Sequence, residues 1–146
     1  YLSAKETLNN SPFAFMTFML DAMEAEHLES QGKYQVAVDL YNKLISTPSQ
    51  MGEQAKHPIY LSLGRLYREL ERFKESEEVF KTGLTLSDEN AELFYEYSIL
   101  KEKQGNKNEA LEFIMKAYNL FKDGDKELEL TQKILDRYKS FQEQLP

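Results

Sequence analysis

The sequence predicts an all-α fold, a solenoid of antiparallel helix pairs with about three pairs and a capping helix at the C-terminal end. A repeat predicts it first. Leu63, Gly64, Tyr67, Phe73, Ser76, Phe80 and Gly83 return 34 residues later as Tyr97, Ser98, Lys101, Lys107, Ala110, Ile114 and Ala117. The same pattern lies 39 residues upstream as Glu24, Ala25, Leu28, Tyr34, Ala37, Tyr41 and Leu44. A period near 34 residues marks a helical solenoid, in which each helix pair buries its apolar face on the next. The second observation is the pairing of sizes within that period. Where two helices cross closely one side must give up bulk, and Gly64, Ala110 and Ala117 do so opposite the rings of Tyr67, Phe73, Phe80 and Phe113.

Each element follows from local chemistry. Residues 1–10 are a polar lead-in with one or two helical turns around Lys5–Asn9. Ser11 and Pro12 make a helix start, since serine caps free amides and proline fits the first turn. That helix is expected from Pro12 to Ser30, stopping at Gly32. The next, Tyr34 to Ser46, shows Val36, Leu40 and Leu44 at spacing four and ends before Pro48. Residues 47–57 form the longest loop and hold the five residues that stretch the first spacing from 34 to 39. Helices at 58–70 and 73–86 follow, with Ser87 or Asp88 as the cap of one at 90–104. Asn106 opens a helix at 107–121, broken by Asp123, Gly124 and Asp125. The last helix, 126–144, carries Leu128, Thr131, Ile134, Leu135, Tyr138, Phe141 and Leu145 on one stripe, which suits a lid over the open end of the third pair.

The repeats resemble the tetratricopeptide family, whose 34-residue unit folds as two antiparallel helices. With units at 18–51, 57–90 and 91–124, the middle one places Tyr60, Leu63, Gly64, Tyr67, Phe73, Ser76, Phe80 and Gly83 at family positions. The third offers Phe94, Ser98, Ala110 and Ala117, and the first Ala25, Leu28, Tyr34, Ala37 and Tyr41. A glycine at position 15 recurs as Gly32 and Gly105, with Glu71 in its place in the middle unit. Asp21 and Glu24 depart from the pattern, so the first unit is a degenerate repeat. The resemblance implies a single domain over 1–146: lead-in 1–17, three units, an insert at 52–56 and a cap at 125–146. It also implies a right-handed superhelix.

Composition agrees with a soluble domain. The 146 residues are 41% hydrophobic, enough for one core, and no apolar run approaches the ~18 residues a membrane span needs. With no cysteine, disulfides and thiolate metal sites are excluded. The first residue is Tyr rather than Met, and the expectation is a domain excised from a larger protein or a processed form. A net charge of −7 disfavours a nucleic-acid partner, because a phosphate backbone needs a positive track.

No active site, cofactor or metal is expected. His27 and His57 lie 30 residues apart without a partner motif, and no glycine-rich phosphate loop is present. Pairs such as Glu77 and Glu78 read as charged outer faces, and Lys101→Arg as a nearly silent change. The expected job is non-catalytic binding of a protein or peptide. In the tetratricopeptide family the first helix of each unit lines a concave groove. The resemblance then assigns groove positions to Met19, Met23, Glu26, Leu61, Arg65, Arg68, Glu92, Tyr95, Glu96 and Ile99, a mixed surface for a basic or amphipathic ligand. The family clamp for acidic chaperone tails falls on Ala22, Glu26, Ser62, Glu92 and Glu96 here, and its three carboxylates oppose such a tail. A structural oligomerisation domain is the alternative. The crowded Phe13, Phe15, Met16, Phe18, Met19, Leu20 and Met23 cannot all face one side of a helix, and three readings cover them: packing against the N-terminal residues 1–10, self-association, or a membrane-surface helix, the last disfavoured by the lack of Lys or Arg in this stretch.

Overall fold

The computed structural model describes residues 12–48, 52–121 and 129–145. They form seven α-helices and one 3₁₀ turn, with no strand among them. The helices are α1 (Pro12–Ser30), α2 (Tyr34–Ser46), α3 (His57–Glu69), α4 (Phe73–Leu86), α5 (Ala91–Lys103), α6 (Lys107–Phe121) and α7 (Glu129–Glu143). They pair as α1 with α2, α3 with α4 and α5 with α6, while α7 lies on α6. This is the expected solenoid. The lead-in, Ser11 as a cap, Leu128 and the Asp123–Asp125 breaker lie outside the described residues.

One turn is used three times. After α1, the amide of Gly32 donates to the Glu29 carbonyl and that of Lys33 to the Leu28 carbonyl. After α3, Glu71 donates to Arg68 and Arg72 to Tyr67; after α5, Gly105 donates to Glu102 and Asn106 to Lys101. Each is a pair of 5→2 and 6→1 bonds around a left-handed residue, which satisfies the last carbonyls and folds the chain back at once. The left-handed residue is Gly32 (φ 73°) in the first unit, Glu71 (φ 59°) in the second and Gly105 (φ 81°) in the third. The repeat thus fixes the hairpin angle by backbone chemistry alone.

Within each pair the small-against-large rule holds. Gly64 faces Phe80, and the Ser76 hydroxyl donates to the Gly64 carbonyl at 2.6 Å, so the missing Cβ lets α3 and α4 touch through backbone. Ala37, Ala110 and Ala117 are fully buried at matching places. Between pairs the core is aromatic. Phe80 of α4 meets Tyr97 of α5 at 5.5 Å, Tyr97 stacks on Phe113 of α6 at 4.2 Å, and Phe113 on Phe94 at 6.2 Å. Such rings bury large apolar area and add directional contact, and this row joins the second unit to the third.

The longest connection differs from expectation. It contains a 3₁₀ turn, Glu53–Lys56, and α3 starts at His57. The turn seats Lys56, whose buried ammonium donates to the Ile45 carbonyl at 2.9 Å and pairs with Glu53 at 3.0 Å. A lysine there completes the C-terminal end of α2, where free carbonyls attract a cation. The cap of α5 is Asn90 rather than Ser87 or Asp88; its side chain accepts the Leu93 amide at 2.9 Å. Asn106 caps α6 as expected, accepting from Glu109 at 3.2 Å.

The last helix does cover the third pair. Thr131, Ile134 and Phe141 are buried, Ile134 and Phe141 in one cluster with Ala110, Ile114 and Ala117, and Tyr138 stacks on Tyr118 at 4.5 Å. Leu145 does not join the stripe. It lies beyond the helix end and is 58% exposed.

Candidate functional site

Helices α1, α3, α5 and α7 are linked in turn by a ladder of ion pairs. Glu29 of α1 meets Arg65 of α3 at 3.3 Å. Arg68 of α3 meets Glu96 of α5 at 2.6 Å, and its same nitrogen donates to the Glu96 carbonyl at 3.1 Å. Glu102 of α5 meets Arg137 of α7 at 2.6 Å, where Arg137 also donates to the Ser98 hydroxyl at 2.7 Å. One repeat position supplies a member of every rung: Glu29, Arg68 and Glu102 all stand twelfth in their units. The twelfth residue of a unit sits near the end of its first helix, level with the neighbouring inner helix.

This ladder decides what the expected groove residues do. Arg68 and Glu96 are buried against each other, so neither offers a free charge to a ligand. Arg65 is spent on Glu29 and sits near the Ser62 hydroxyl at 3.5 Å. Burial raises the Glu29 carboxyl above its ordinary range, an effect that Arg65 and the Tyr41 hydroxyl oppose. Tyr41, buried beside that carboxylate, is pushed up to about 12, and it stays a neutral donor to Glu29 at 3.5 Å. Leu61 is only 7% exposed and packs with Phe80, Leu93 and Tyr97, so it belongs to the core. The expectation of an exposed apolar anchor there does not match its burial, because α4 and α5 close over that face of α3.

The rest stay accessible. Tyr95 and Ile99 are half-buried on α5, Glu92 is half-buried one turn earlier, and Met19, Met23 and Glu26 are exposed on α1. Glu26 and Glu92 form no ion pair among the described residues. Glu92 lies close enough to His57 to favour its charged form, but burial outweighs that and lowers the histidine below its ordinary value. No group of three or more His, Cys, Asp or Glu that could hold a metal occurs among the described residues.

Sequence reasoning missed α7 as a member of this ladder. A cleft of about 320 Å³ lies between α5 and α7, lined by Tyr95, Glu102, Lys133, Arg137 and Phe141 among others. The stripe pattern identified α7 as a lid, but only its spacing to Ser98 and Glu102 shows that Arg137 closes the ladder.

Residues 57–90 and 91–123 each match the family model of the tetratricopeptide repeat. Residues 57–123 are thus two consecutive tetratricopeptide repeats. No curated protein matches it in sequence. Among solved structures, the Yersinia enterocolitica type III secretion chaperone SycD, in complex with a peptide of the translocator YopD, is similar over 90% of this chain and 97% of its own. The TM-score is 0.77 at 14% identity. PcrH from Pseudomonas aeruginosa gives 0.76 at 12% identity, covering 86% and 92%. The first tetratricopeptide domain of Spaghetti (RPAP3), bound to the HSP90 peptide SRMEEVD, gives 0.71 at 12% identity, covering 88% and 93%. At such identities the likeness establishes the tetratricopeptide solenoid. No helix among the described residues is long and apolar enough to cross a membrane.

Proposed function

We propose that this tetratricopeptide domain is a non-catalytic binding module that takes an extended or helical peptide against the inner face of α1, α3, α5 and α7. The observation that carries it is the ion-pair ladder. It neutralises the floor from within and leaves Tyr95 and Ile99 as apolar contacts, with Glu26 and Glu92 as the unpaired charges. A ligand with one apolar anchor and a Lys or Arg beside it fits that arrangement. Two of the similar solenoids above hold peptides, which supports peptide binding as the job and leaves the choice of peptide to this chain's own residues.

An acidic tail such as SRMEEVD meets the wrong sign at Glu26 and Glu92, while Arg65 and Arg68 are already bound to Glu29 and Glu96. Titrating the domain with a basic amphipathic peptide and with SRMEEVD separates the readings. The basic peptide is expected to bind more tightly, with affinity falling about tenfold on Glu26→Lys with Glu92→Lys, roughly 1.4 kcal/mol. Glu96 is left alone because it is half of a buried pair. Saturable binding of the acidic peptide that survives Arg65→Ala would sink the proposal.

A further inference from the structure

Helix α1 is apolar on two opposite sides. Phe18, Ala22, Ala25 and Leu28 face the core formed with α2 and α3. On the other side Phe13, Met16, Met19, Leu20 and Met23 are 41–71% exposed. A helix that is apolar all round is one that is covered all round. This outer face lies on the first described helix, at the opposite end of the described solenoid from α7.

We propose that a second copy of this chain covers it, with the two α1 helices antiparallel about a two-fold axis. Two features of the stripe select that occupant. Its spacing, 13–16–20–23, runs three, four, three and reads the same in both directions. Antiparallel pairing therefore lays it on itself, Phe13 against Met23 and Met16 against Leu20 of the other copy, as an isologous contact requires. The spacing is also that of a coiled-coil seam. Charge makes the second selection. Residues 12–20 hold no charge, and Glu24 and Glu26 follow in the second half of the helix. Antiparallel pairing places Glu24 near the start of the opposing helix, at the positive end of its dipole, whereas parallel pairing stacks carboxylate on carboxylate. An anionic bilayer suits the face poorly, because α1 has no Lys or Arg. Met23 then belongs to this interface rather than to the peptide groove.

The surface is independent of the groove residues on α5, so Glu92→Lys alone should leave the association intact. Sedimentation equilibrium from about 10 to 500 µM is expected to show a monomer–dimer equilibrium, as a contact of modest area gives. Met16→Glu with Leu20→Glu should yield a monomer with unchanged helix content and melting temperature, since both side chains are exposed. The chain has no cysteine, so introduced thiols report alone. Mixed Met16→Cys and Leu20→Cys chains should oxidise to the mixed dimer, while Phe13→Cys should link poorly to itself. A monomer at 500 µM, or a dimer unaffected by the two glutamates, overturns the proposal. So does efficient Phe13→Cys self-linkage, or vesicle binding by a monomer that the same glutamates abolish.

Discussion

A Cβ placed on Gly64 would lie 2.1 Å from Cε1 of Phe80, far inside contact distance, and within 2.5 Å of two further ring carbons. Phe80 is fully buried and touches the aromatic row of the next unit, so the ring has nowhere to go. Gly64→Ala should therefore cost about 2–3 kcal/mol by overpacking, read as a drop in urea midpoint at unchanged slope. Combining it with Phe80→Leu should recover part of the loss. A Gly64→Ala chain as stable as the parent would mean that α3 and α4 do not cross where the repeat places them.

Glu71 does the work of a glycine. It holds φ 59° at the turn where the flanking units use Gly32 and Gly105. A non-glycine residue there stores about 1–3 kcal/mol of strain, of which the greater unfolded freedom of glycine takes back up to about 1. Glu71→Gly is expected to stabilise the domain by about 1 kcal/mol, or 2–4 °C in melting temperature for a chain of this size. Gly105→Ala should shift it the other way. No gain from Glu71→Gly would show that the Glu71 side chain contributes more than its backbone costs.

The difference between these residues and those of the groove explains what could be read from sequence. Gly64, Phe80, Ala110 and the Gly32–Glu71–Gly105 position recur at one period, and recurrence converts a weak local preference into a fold. Charges carry no such label. Arg68 and Glu96 were legible as groove residues but not as partners, because 28 residues separate them and pairing depends on how far α3 and α5 approach. Lys101 shows the same limit. Expected to tolerate Arg, it is buried and bridges Glu77 and Glu109, each at 2.8 Å, so a bulkier guanidinium should cost stability there. The alternating sign at position twelve, Glu29, Arg68 and Glu102, was visible in the sequence, and its meaning required the inner helices side by side.

Glu77 ties the second unit to the third. Its carboxylate accepts from Lys101 at 2.8 Å, Tyr97 at 3.3 Å and Gln104 at 3.4 Å, and pairs with Lys81 at 3.2 Å. Hydrogen bonding from Lys101, more than the opposing burial, holds its pKa down at about 2 against an ordinary 4.5. A depressed carboxylate contributes stability that is complete above its unfolded value and lost as pH falls through its folded one. The domain should thus lose stability between pH 4.5 and 2 in part through this group. Glu77→Gln should cost on the order of 1–2 kcal/mol at pH 7 and flatten that acid limb. An acid profile identical to the parent would place the loss on other carboxylates.

Residues Asp125–Pro146 carry the helix that closes the C-terminal end. Ile134 and Phe141 bury themselves among Ala110, Ile114 and Ala117, and removing them opens that cluster to water. A chain ending at Gly124 should bind more of an apolar dye, melt lower and aggregate at concentrations where the parent stays clear. A truncated chain that melts with the parent would make α7 an appendage and remove the α5–α7 cleft from the proposed site.

The Arg68–Glu96 rung is the test of the ladder itself. Both side chains are buried, and the pair joins α3 to α5 through a side chain and a carbonyl at once. Removing one partner strands a charge away from water, and Arg68→Ala should cost about 3–5 kcal/mol. Replacing both by apolar residues of similar length, Arg68→Met with Glu96→Leu, removes the desolvation along with the attraction and should cost much less. If that double variant folds, its groove has lost no free charge, and binding of the basic peptide should be unchanged within about twofold. If Arg68 or Glu96 instead contacts the ligand directly, the double variant loses the peptide while keeping its melting temperature, and the ladder is a binding surface rather than the frame behind one.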